Sequence, residues 1–126
     1  MHIIGIGMDA TDIPRLQQVL ERYGQRFLER IFTPGEIAYC TRRHNPAPHL
    51  AARFAAKEAA MKALGTGHSQ GVLFKDIEVV RVSGPPQLKF HGGAARRFTS
   101  LHAESSLLTI THSQTLALAH VLLIGG

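Results

Sequence analysis

A carboxylate and an ammonium group lie four residues apart, just before a short glycine loop. Glu58 and Lys62 belong to the alanine-rich segment 53–64, which predicts a helix because alanine is the strongest helix former. Gly65 is a natural end for that helix, and residues four apart share one of its faces. A carboxylate beside an ammonium group, next to the flexible turn 65–67, suits a site that holds a metal ion and a phosphate together. The segment therefore points to phosphate-transfer chemistry.

The same pair has a simpler interpretation. A glutamate followed by a lysine four residues later is the commonest exposed ion pair on helices, and it contributes only about 0.3–0.5 kcal/mol. The phosphate-transfer interpretation therefore depends on residues elsewhere in the chain.

Asp9 is the first of these residues. It follows a predicted strand, residues 2–8, in which Gly5 and Gly7 share a face and leave room for a close neighbour. Aspartate is common in the turn after a strand, but its carboxylate is also a magnesium ligand. Because Mg²⁺ uses one or two carboxylates together with waters and substrate phosphates, Asp9 and Glu58 would suffice. Their spacing in the sequence does not show that they meet.

Two common nucleotide-binding motifs are absent. The Gly5-x-Gly7 pair lacks the third glycine of a dinucleotide fingerprint, and the turn 65–67 lacks the Lys-Ser/Thr pair that completes a P-loop. The sequence therefore gives no support to a P-loop ATPase.

Basic side chains supply candidate contacts to anions. His112 follows a β-branched predicted strand and could donate to an anionic oxygen, or it could be a surface or packing residue, since the chain has eight histidines. Arg15, Arg22 and Arg26 fall within about 40° on one face if a single helix runs through Gly24. That arginine stripe is either a solvated face or a docking surface for an acidic protein.

Composition limits the class of protein. The 126 residues predict one domain, 1–126, and the net charge of +5 favours an anionic partner: nucleic acid, a phosphorylated cofactor or an acidic protein. No apolar run reaches the length of a membrane span, and the N-terminal residues lack the features of a secretory signal. The single cysteine, Cys40, excludes an internal disulfide and favours a reducing setting. We therefore expect a cytoplasmic protein without a membrane span.

The order of the predicted elements indicates an α+β fold. Helices are predicted from Asp12 and from Thr33, and a turn at 45–48 leads into the helix that ends at Gly65. Gly24 is a candidate break in the first helix. Beyond Gly71 the pattern is mainly of strands, predicted at 77–82, 88–90, 107–111 and 115–124, with a helix at 92–101 and a hairpin turn at 113–114.

Four motifs, in this order, resemble those of the bacterial holo-[acyl-carrier-protein] synthases, the small 4′-phosphopantetheinyl transferases. The motifs are Gly5-Ile6-Gly7-Met8-Asp9 with Ile13 and Arg15; Phe32-Thr33-x-x-Glu36 with Tyr39-Cys40; residues 53–67; and Thr111-His112-Ser113. They extend over nearly the whole chain. The chain departs from the family pattern at Ala10-Thr11, where Ile-Val is usual, and at Thr109 and Thr111, which keep the hydroxyl groups of the usual serines.

The resemblance implies a 4′-phosphopantetheinyl transferase-like fold, with an antiparallel-rich sheet and a long central helix. It implies Mg²⁺-dependent transfer of the 4′-phosphopantetheine of coenzyme A to a serine of an acidic acyl carrier protein, releasing adenosine 3′,5′-bisphosphate, in fatty acid biosynthesis. It also implies a homotrimer with active sites at subunit interfaces. The C-terminal strands, which are apolar on both faces, are the expected interface.

The resemblance further implies roles for single residues. Asp9 and Glu58 would hold Mg²⁺; Glu58 would also help to remove the serine proton, and Lys62 would stabilise the leaving phosphate. The other implied contacts are with coenzyme A, at Arg53, Lys62, Gly65, Thr66, Gly67 and His112, and with the carrier protein, at Arg15, Arg22 and Arg26.

Two alternatives remain open from the sequence. A small basic nucleic-acid-binding module would explain the charge without a metal, but it would not explain Asp9, Glu58 or the glycine loop. A coenzyme A-binding regulator that has lost catalysis would keep all of these residues.

Overall fold

Five helices and five strands follow one another along the chain in α+β order, as the sequence predicted. The structure is a computed structural model of residues 1–126. In chain order they are β1 (His2–Asp12), α1 (Ile13–Tyr23), α2 (Gln25–Ile31), α3 (Pro34–Thr41), α4 (Pro46–Leu64), a 3₁₀ turn (Phe74–Asp76), β2 (Ile77–Val80), β3 (Gln87–Phe90), α5 (Gly92–Ser100), β4 (Ala103–His112) and β5 (Leu116–Gly125). None of the helices is long and apolar enough to cross a membrane.

The central helix α4 is surrounded by the rest of the molecule. Thirteen of its nineteen residues are buried, which explains why small alanines line most of its surface. The predicted turn at 45–48 is wrong, because α4 begins at Pro46 and only Asn45 precedes it as the N-cap. Prolines are tolerated there, since the first-turn N–H groups have no partner within a helix. Gly65 ends α4 in the left-handed conformation, at φ +76°, as predicted.

The main sheet packs one face against α4. Its three strands are antiparallel in the order β1-β5-β4, and β2 and β3 form a separate hairpin. At Gly5 a Cβ atom would overlap the carbonyl oxygen of Ala63, and at Gly7 it would overlap that of Ala59. The prediction that these two glycines admit a close neighbour is therefore confirmed, and the neighbour is the backbone of α4.

Strand β1 is longer than predicted. It continues beyond Met8 to Asp12, because β5 supplies an antiparallel partner for each residue from Asp9 to Asp12, the last pair being Asp12–Leu116. Asp9 therefore lies within the strand, paired with Ala119, and not in a turn after it.

The C-terminal hairpin also exceeds the predicted strands. β4 begins at Ala103 because Ala103, Ser105 and Ser106 pair with β5, with an irregularity at Glu104, although residues 104–106 lack the apolar alternation of a predicted strand. The hairpin turn lies where it was predicted, closed by a hydrogen bond from Ser113 N to Leu116 O of 2.9 Å. By contrast, β2 ends at Val80, so the prediction that it reaches Val82 is wrong; Val82 is 98% exposed.

The N-terminal helices α1 and α3 begin at the predicted caps, and the candidate break at Gly24 is confirmed. Asp12 caps α1 by accepting a hydrogen bond from Arg15 N at 3.1 Å, and Thr33 and Glu36 form a capping box at the start of α3. Gly24, at φ +54°, separates α1 from α2. These helices and the first half of α4 enclose a second apolar core, distinct from the one between α4 and the sheet.

Candidate active site

Lys62 joins the central helix to the first strand. Its Nζ donates to Asp9 Oδ1 at 2.9 Å and to the backbone oxygen of Met8 at 3.0 Å. Asp9 can reach it because side chains alternate along β1, so that Asp9 faces α4 as Gly7 does. The structure therefore brings two predicted site residues together, and Lys62 pairs with Asp9 instead of with Glu58 on its own helix.

Glu58 lies one helical turn before Lys62, on the same side of α4. Its Oε1 is 3.5 Å from Nε2 of His68, a residue that the sequence analysis did not single out. The His68 ring packs edge-on against Phe74, with the ring centroids 4.7 Å apart. His68 directly follows the loop 65–67, and its position there was the only signal that could have identified it.

The carboxylate oxygens of Asp9 and Glu58 are suited to a cation that also binds a phosphate. The side chains of Asp9 and Glu58 are about one-fifth exposed, and each has one carboxylate oxygen that makes no hydrogen bond or ion pair. Hard oxygens of this kind suit Mg²⁺, which completes its shell with waters and substrate phosphates. The chain has no cluster of three or more His, Cys, Asp or Glu side chains that could hold a metal alone. A metal held by Asp9 and Glu58 would need substrate and water oxygens to complete its coordination.

Two arginines stack on one tyrosine beside α4. The guanidinium groups of Arg43 and Arg53 each lie 4.1 Å from the centroid of the Tyr39 ring. Arg53 is 5% exposed, and its Nε has no hydrogen-bond partner. Although burial alone would raise the pKa of the Tyr39 phenol, hydrogen bonds and charge from both arginines lower it below its ordinary value.

Histidines extend this cationic cluster, which we define as Tyr39, Arg43, His49, Arg53 and His112. Burial lowers the pKa of His49, and the positive charges of Arg43, Arg53 and His112 lower it further. None of the cluster's arginines or histidines pairs with a carboxylate. The predicted residues Arg53 and His112 therefore share one basic region. Arg43, two residues after the end of α3, was missed because only the packing of α3 on α4 brings it there. His49 lies on α4 one helical turn before Arg53, so helical spacing could have identified it.

The glycine loop 65–67 is open, but its backbone donors are used. The N–H of Gly65 bonds to Lys62 O at 3.0 Å, and those of Thr66 and Gly67 bond to Met61 O at 3.2 and 3.3 Å. Thr66 is 7% exposed, and its hydroxyl donates to Gly67 O. A Cβ at Gly67 would meet no atom within 4 Å. The loop can therefore admit a ligand next to its backbone, while its three N–H groups cap α4.

The proposed arginine stripe does not lie on one helix. Because Gly24 breaks the helix, Arg15 and Arg22 are on α1 and Arg26 is on α2. The prediction of a continuous face therefore holds for the first two residues only. Arg15 lines a mainly apolar cavity of about 330 Å³ between β1, α1, α2 and α4, whose other lining residues are Ala10, Thr11, Asp12, Leu16, Val19, Phe27 and Phe54.

A family model and a curated relative match nearly the whole chain. Residues 5–119 match the model of the 4′-phosphopantetheinyl transferase superfamily. The chain is 49% identical over 122 residues to the holo-[acyl-carrier-protein] synthase of Solibacter usitatus, covering 96% of this chain and 98% of that protein.

Solved structures are similar over almost the full length. The crystal structure of holo-[acyl-carrier-protein] synthase from Neisseria meningitidis superposes with a TM-score of 0.90 at 31% identity, covering 98% of this chain and 99% of the other. The Helicobacter pylori holo-[acyl-carrier-protein] synthase in complex with coenzyme A superposes with a TM-score of 0.83 at 28% identity, covering 94% and 99%.

Proposed function

Because the chain belongs to the 4′-phosphopantetheinyl transferase superfamily, and within it to the holo-[acyl-carrier-protein] synthases, we propose that it modifies an acyl carrier protein. The reaction transfers the 4′-phosphopantetheine group of coenzyme A to a serine of the apo carrier protein. The products are the holo carrier protein and adenosine 3′,5′-bisphosphate. The observation that carries this proposal is the contact of Lys62 with Asp9, one helical turn from Glu58, in a chain similar to a coenzyme A-bound enzyme.

Asp9 and Glu58 are the residues that would hold Mg²⁺ against the pyrophosphate of coenzyme A. When bound, the ion would neutralise charge on the phosphoryl oxygens and orient the phosphate for attack. Glu58 takes the proton of the carrier serine, directly or through a water, as the serine oxygen forms its bond to phosphorus. The bond from that phosphorus to the leaving phosphate of the nucleotide breaks.

Lys62 is placed to stabilise the charge that develops on this leaving phosphate. Its side chain is about half exposed, so it can turn from Asp9 towards a phosphate at little cost. The bond with Asp9 meanwhile keeps the ammonium group at the site before coenzyme A arrives.

The cationic cluster supports binding of the other phosphate groups. Arg53 donates from Nη1 to His49 O at 3.5 Å, but no carboxylate pairs with it, so its charge is left to attract an anionic oxygen. His112 lies in the same region, at the end of β4. In this proposal Gly65, Thr66 and Gly67 shape the wall of the nucleotide site, because their backbone donors are already bonded.

Arg15, Arg22 and Arg26 are exposed cations suited to an acidic carrier protein. The cavity beside Arg15 adds an apolar floor, so a partner with an apolar side chain among acidic ones would match both features. We propose α1 as the main carrier-docking element, with Arg26 contributing from α2.

We propose a homotrimer assembled through the outer face of the main sheet. Ile6, Met8 and Leu107 on that face are 60%, 59% and 56% exposed, and Leu118 and Leu122 lie beside them on β5. Contiguous exposed apolar residues of this kind mark interaction surfaces. The two-sided apolar character predicted for β5 agrees with this proposal, because Val121 and Leu123 are buried on its inner face while Leu118 and Leu122 lie on its outer face.

We also propose a cytoplasmic location, consistent with the single reduced Cys40.

The decisive experiment mixes the protein with apo acyl carrier protein, coenzyme A and Mg²⁺, and records the intact mass of the carrier. We expect the carrier to gain one phosphopantetheine, and a carrier whose acceptor serine is replaced by alanine to gain none. Binding of coenzyme A without any mass increase would instead favour the regulator that lacks catalysis. Salt-sensitive binding of duplex DNA, with no binding of coenzyme A, would favour the nucleic-acid-binding module.

A further inference from the structure

The glycine loop lacks free backbone donors, so an anion beside it must be bound by side chains. All three N–H groups of the loop cap α4. Of the predicted residues near it, Thr66 is buried with its hydroxyl donating to Gly67 O, and Lys62, which contacts Asp9, is already assigned to the leaving phosphate. A phosphate next to the loop therefore needs another cation.

Arg97 supplies a cation at this position. It projects from α5, and its Nε donates to Leu64 O, the last carbonyl of α4, at 2.9 Å. Its Nη2 would lie 3.5 Å from a Cβ placed on Gly65, so the guanidinium group packs against the start of the loop. A cation there is also favoured by the negative end of the α4 dipole.

Most of the Arg97 guanidinium remains available. The Nη1 and Nη2 atoms make no hydrogen bond, and no carboxylate forms an ion pair with Arg97. The side chain is half-buried, so its position is restricted before any ligand binds. A guanidinium fixed through one nitrogen, with two nitrogens free, can bind a phosphate oxygen without first being ordered.

We propose that Arg97 binds a phosphate group of coenzyme A at the glycine loop. This inference rests on the proposed function, because it assumes that coenzyme A binds here. The hydrogen bond to Leu64 O holds the guanidinium in place, and the free N–H groups form charge-assisted bonds to the phosphate. Sequence patterns gave no sign of this role, since Arg97 lies 30 residues after the loop and reaches it only through the packing of α5 on α4.

Calorimetric titration of coenzyme A, with no carrier protein present, tests the proposal. Arg97→Gln keeps a donor for Leu64 O but removes the charge, and it should weaken binding by about tenfold or more. Arg97→Lys keeps the charge and should bind with intermediate affinity. The control is Arg96→Gln, on the exposed side of α5, which should bind coenzyme A as the parent does. If Arg97 only capped α4, its replacement by glutamine would leave the affinity for coenzyme A unchanged. An Arg97→Gln variant that binds coenzyme A as tightly as the parent therefore overturns the proposal.

A measurement on the parent protein keeps the test independent of any variant's stability. The side-chain nitrogen resonance of Arg97, assigned by its absence from Arg97→Lys, should shift when coenzyme A is added. An unshifted resonance at saturating coenzyme A also overturns the proposal. If the parent itself does not bind coenzyme A, the proposed function fails together with this inference. If the parent binds and only the Arg97 results are negative, this inference alone fails.

Discussion

Glu36 Oε1 lies 2.8 Å from Lys57 Nζ, and neither side chain has any exposed surface. Lys57 also donates to the backbone oxygens of Phe74 and Ile77, and Glu36 Oε2 accepts from Val79 N at 2.8 Å. This ion pair therefore connects α3, α4 and β2 behind the candidate site. Burial lowers the pKa of Lys57, and the Glu36 carboxylate opposes that shift by raising it.

Breaking this pair should destabilise the fold. We expect Lys57→Met to lower the free energy of unfolding by about 3–5 kcal/mol, because the Glu36 charge is left buried without its partner. The double variant Glu36→Leu/Lys57→Met should recover part of the loss, since neither charge remains. Urea titrations at one fixed protein concentration measure both. The control, Lys75→Met at an exposed position, should be near neutral. If Lys57→Met lowers the free energy of unfolding no more than Lys75→Met does, the buried ion pair does not stabilise the fold as proposed.

Asp9→Asn and Glu58→Gln should each abolish phosphopantetheine transfer while the fold is retained. Each removes an anionic oxygen from the proposed Mg²⁺ site, and the lost Asp9–Lys62 ion pair is exposed enough to contribute less than about 1 kcal/mol to stability. Carrier mass spectrometry gives the rate, and circular dichroism reports the fold. Glu29→Gln, at an exposed position on α2, should have parent activity. Parent rates in either site variant at limiting Mg²⁺ would show that the two-carboxylate site is wrong.

Reversing charge on α1 should impair use of the carrier protein. We expect the Arg15→Glu/Arg22→Glu variant to raise the KM for the carrier protein at least about tenfold at low salt, because exposed charges act on association and are screened by salt. Coenzyme A affinity should not change. Arg81→Glu, at an exposed position between β2 and β3, is the control. If kcat/KM for the carrier protein is unchanged, these arginines only form a solvated helix face and do not dock the carrier.

A charge on the outer face of the sheet should prevent assembly. Leu122→Asp places a carboxylate between Ile6 and Leu107, and burying an unpaired charge at a subunit interface is strongly unfavourable. Light scattering should report a smaller particle, and transfer activity should fall with it. Val82→Asp, at a fully exposed position, should leave assembly unchanged. A parent protein that is fully active as a monomer would rule out the trimer.

Cys40 should make stability fall at alkaline pH. Burial raises the pKa of the Cys40 thiol to about 11 from 9.0, so between these values the unfolded chain releases a proton that the folded chain keeps. Stability is therefore lost as pH rises through this window, by at most about 1.4 kcal/mol per pH unit. Compared with the parent, Cys40→Ala should show a shallower decline in urea titrations from pH 8.5 to 11. If the free energies of unfolding of the parent and of Cys40→Ala decline in parallel with pH, the Cys40 thiol has the same pKa in the folded and unfolded chains. The native thiol should also resist alkylation.

Local signals in the sequence predicted much of the fold. The N-caps Asp12 and Thr33, the break at Gly24 and the stop at Gly65 lie where the structure has them, because capping depends on residues within one turn. The predictions failed where the partner was distant in sequence. Polar Asp9 and Asp12 extend β1 only because β5 pairs with them, and nothing local could show that.

In the candidate site, too, features that depend on neighbouring residues were predicted, and contacts between distant residues were not. Glu58 and Lys62 were identified from their spacing on one helix, but the contact of Lys62 with Asp9 spans 53 residues and depends on how closely β1 packs on α4. Lys57, one position before Glu58, faces the interior instead, since 100° of helical rotation separates neighbouring residues. Periodicity could not distinguish a buried lysine with its own carboxylate from an exposed one.

The absence of side chains at Gly5 and Gly7 has a mechanical consequence. With backbone against backbone, no flexible side-chain layer separates the strand of Asp9 from the helix of Glu58 and Lys62. Side chains between two elements can change rotamer and absorb a displacement, whereas a direct backbone contact transmits it. We therefore expect the two halves of the proposed metal site to move as one rigid unit, with adjustment to different carrier proteins confined to α1 and α2.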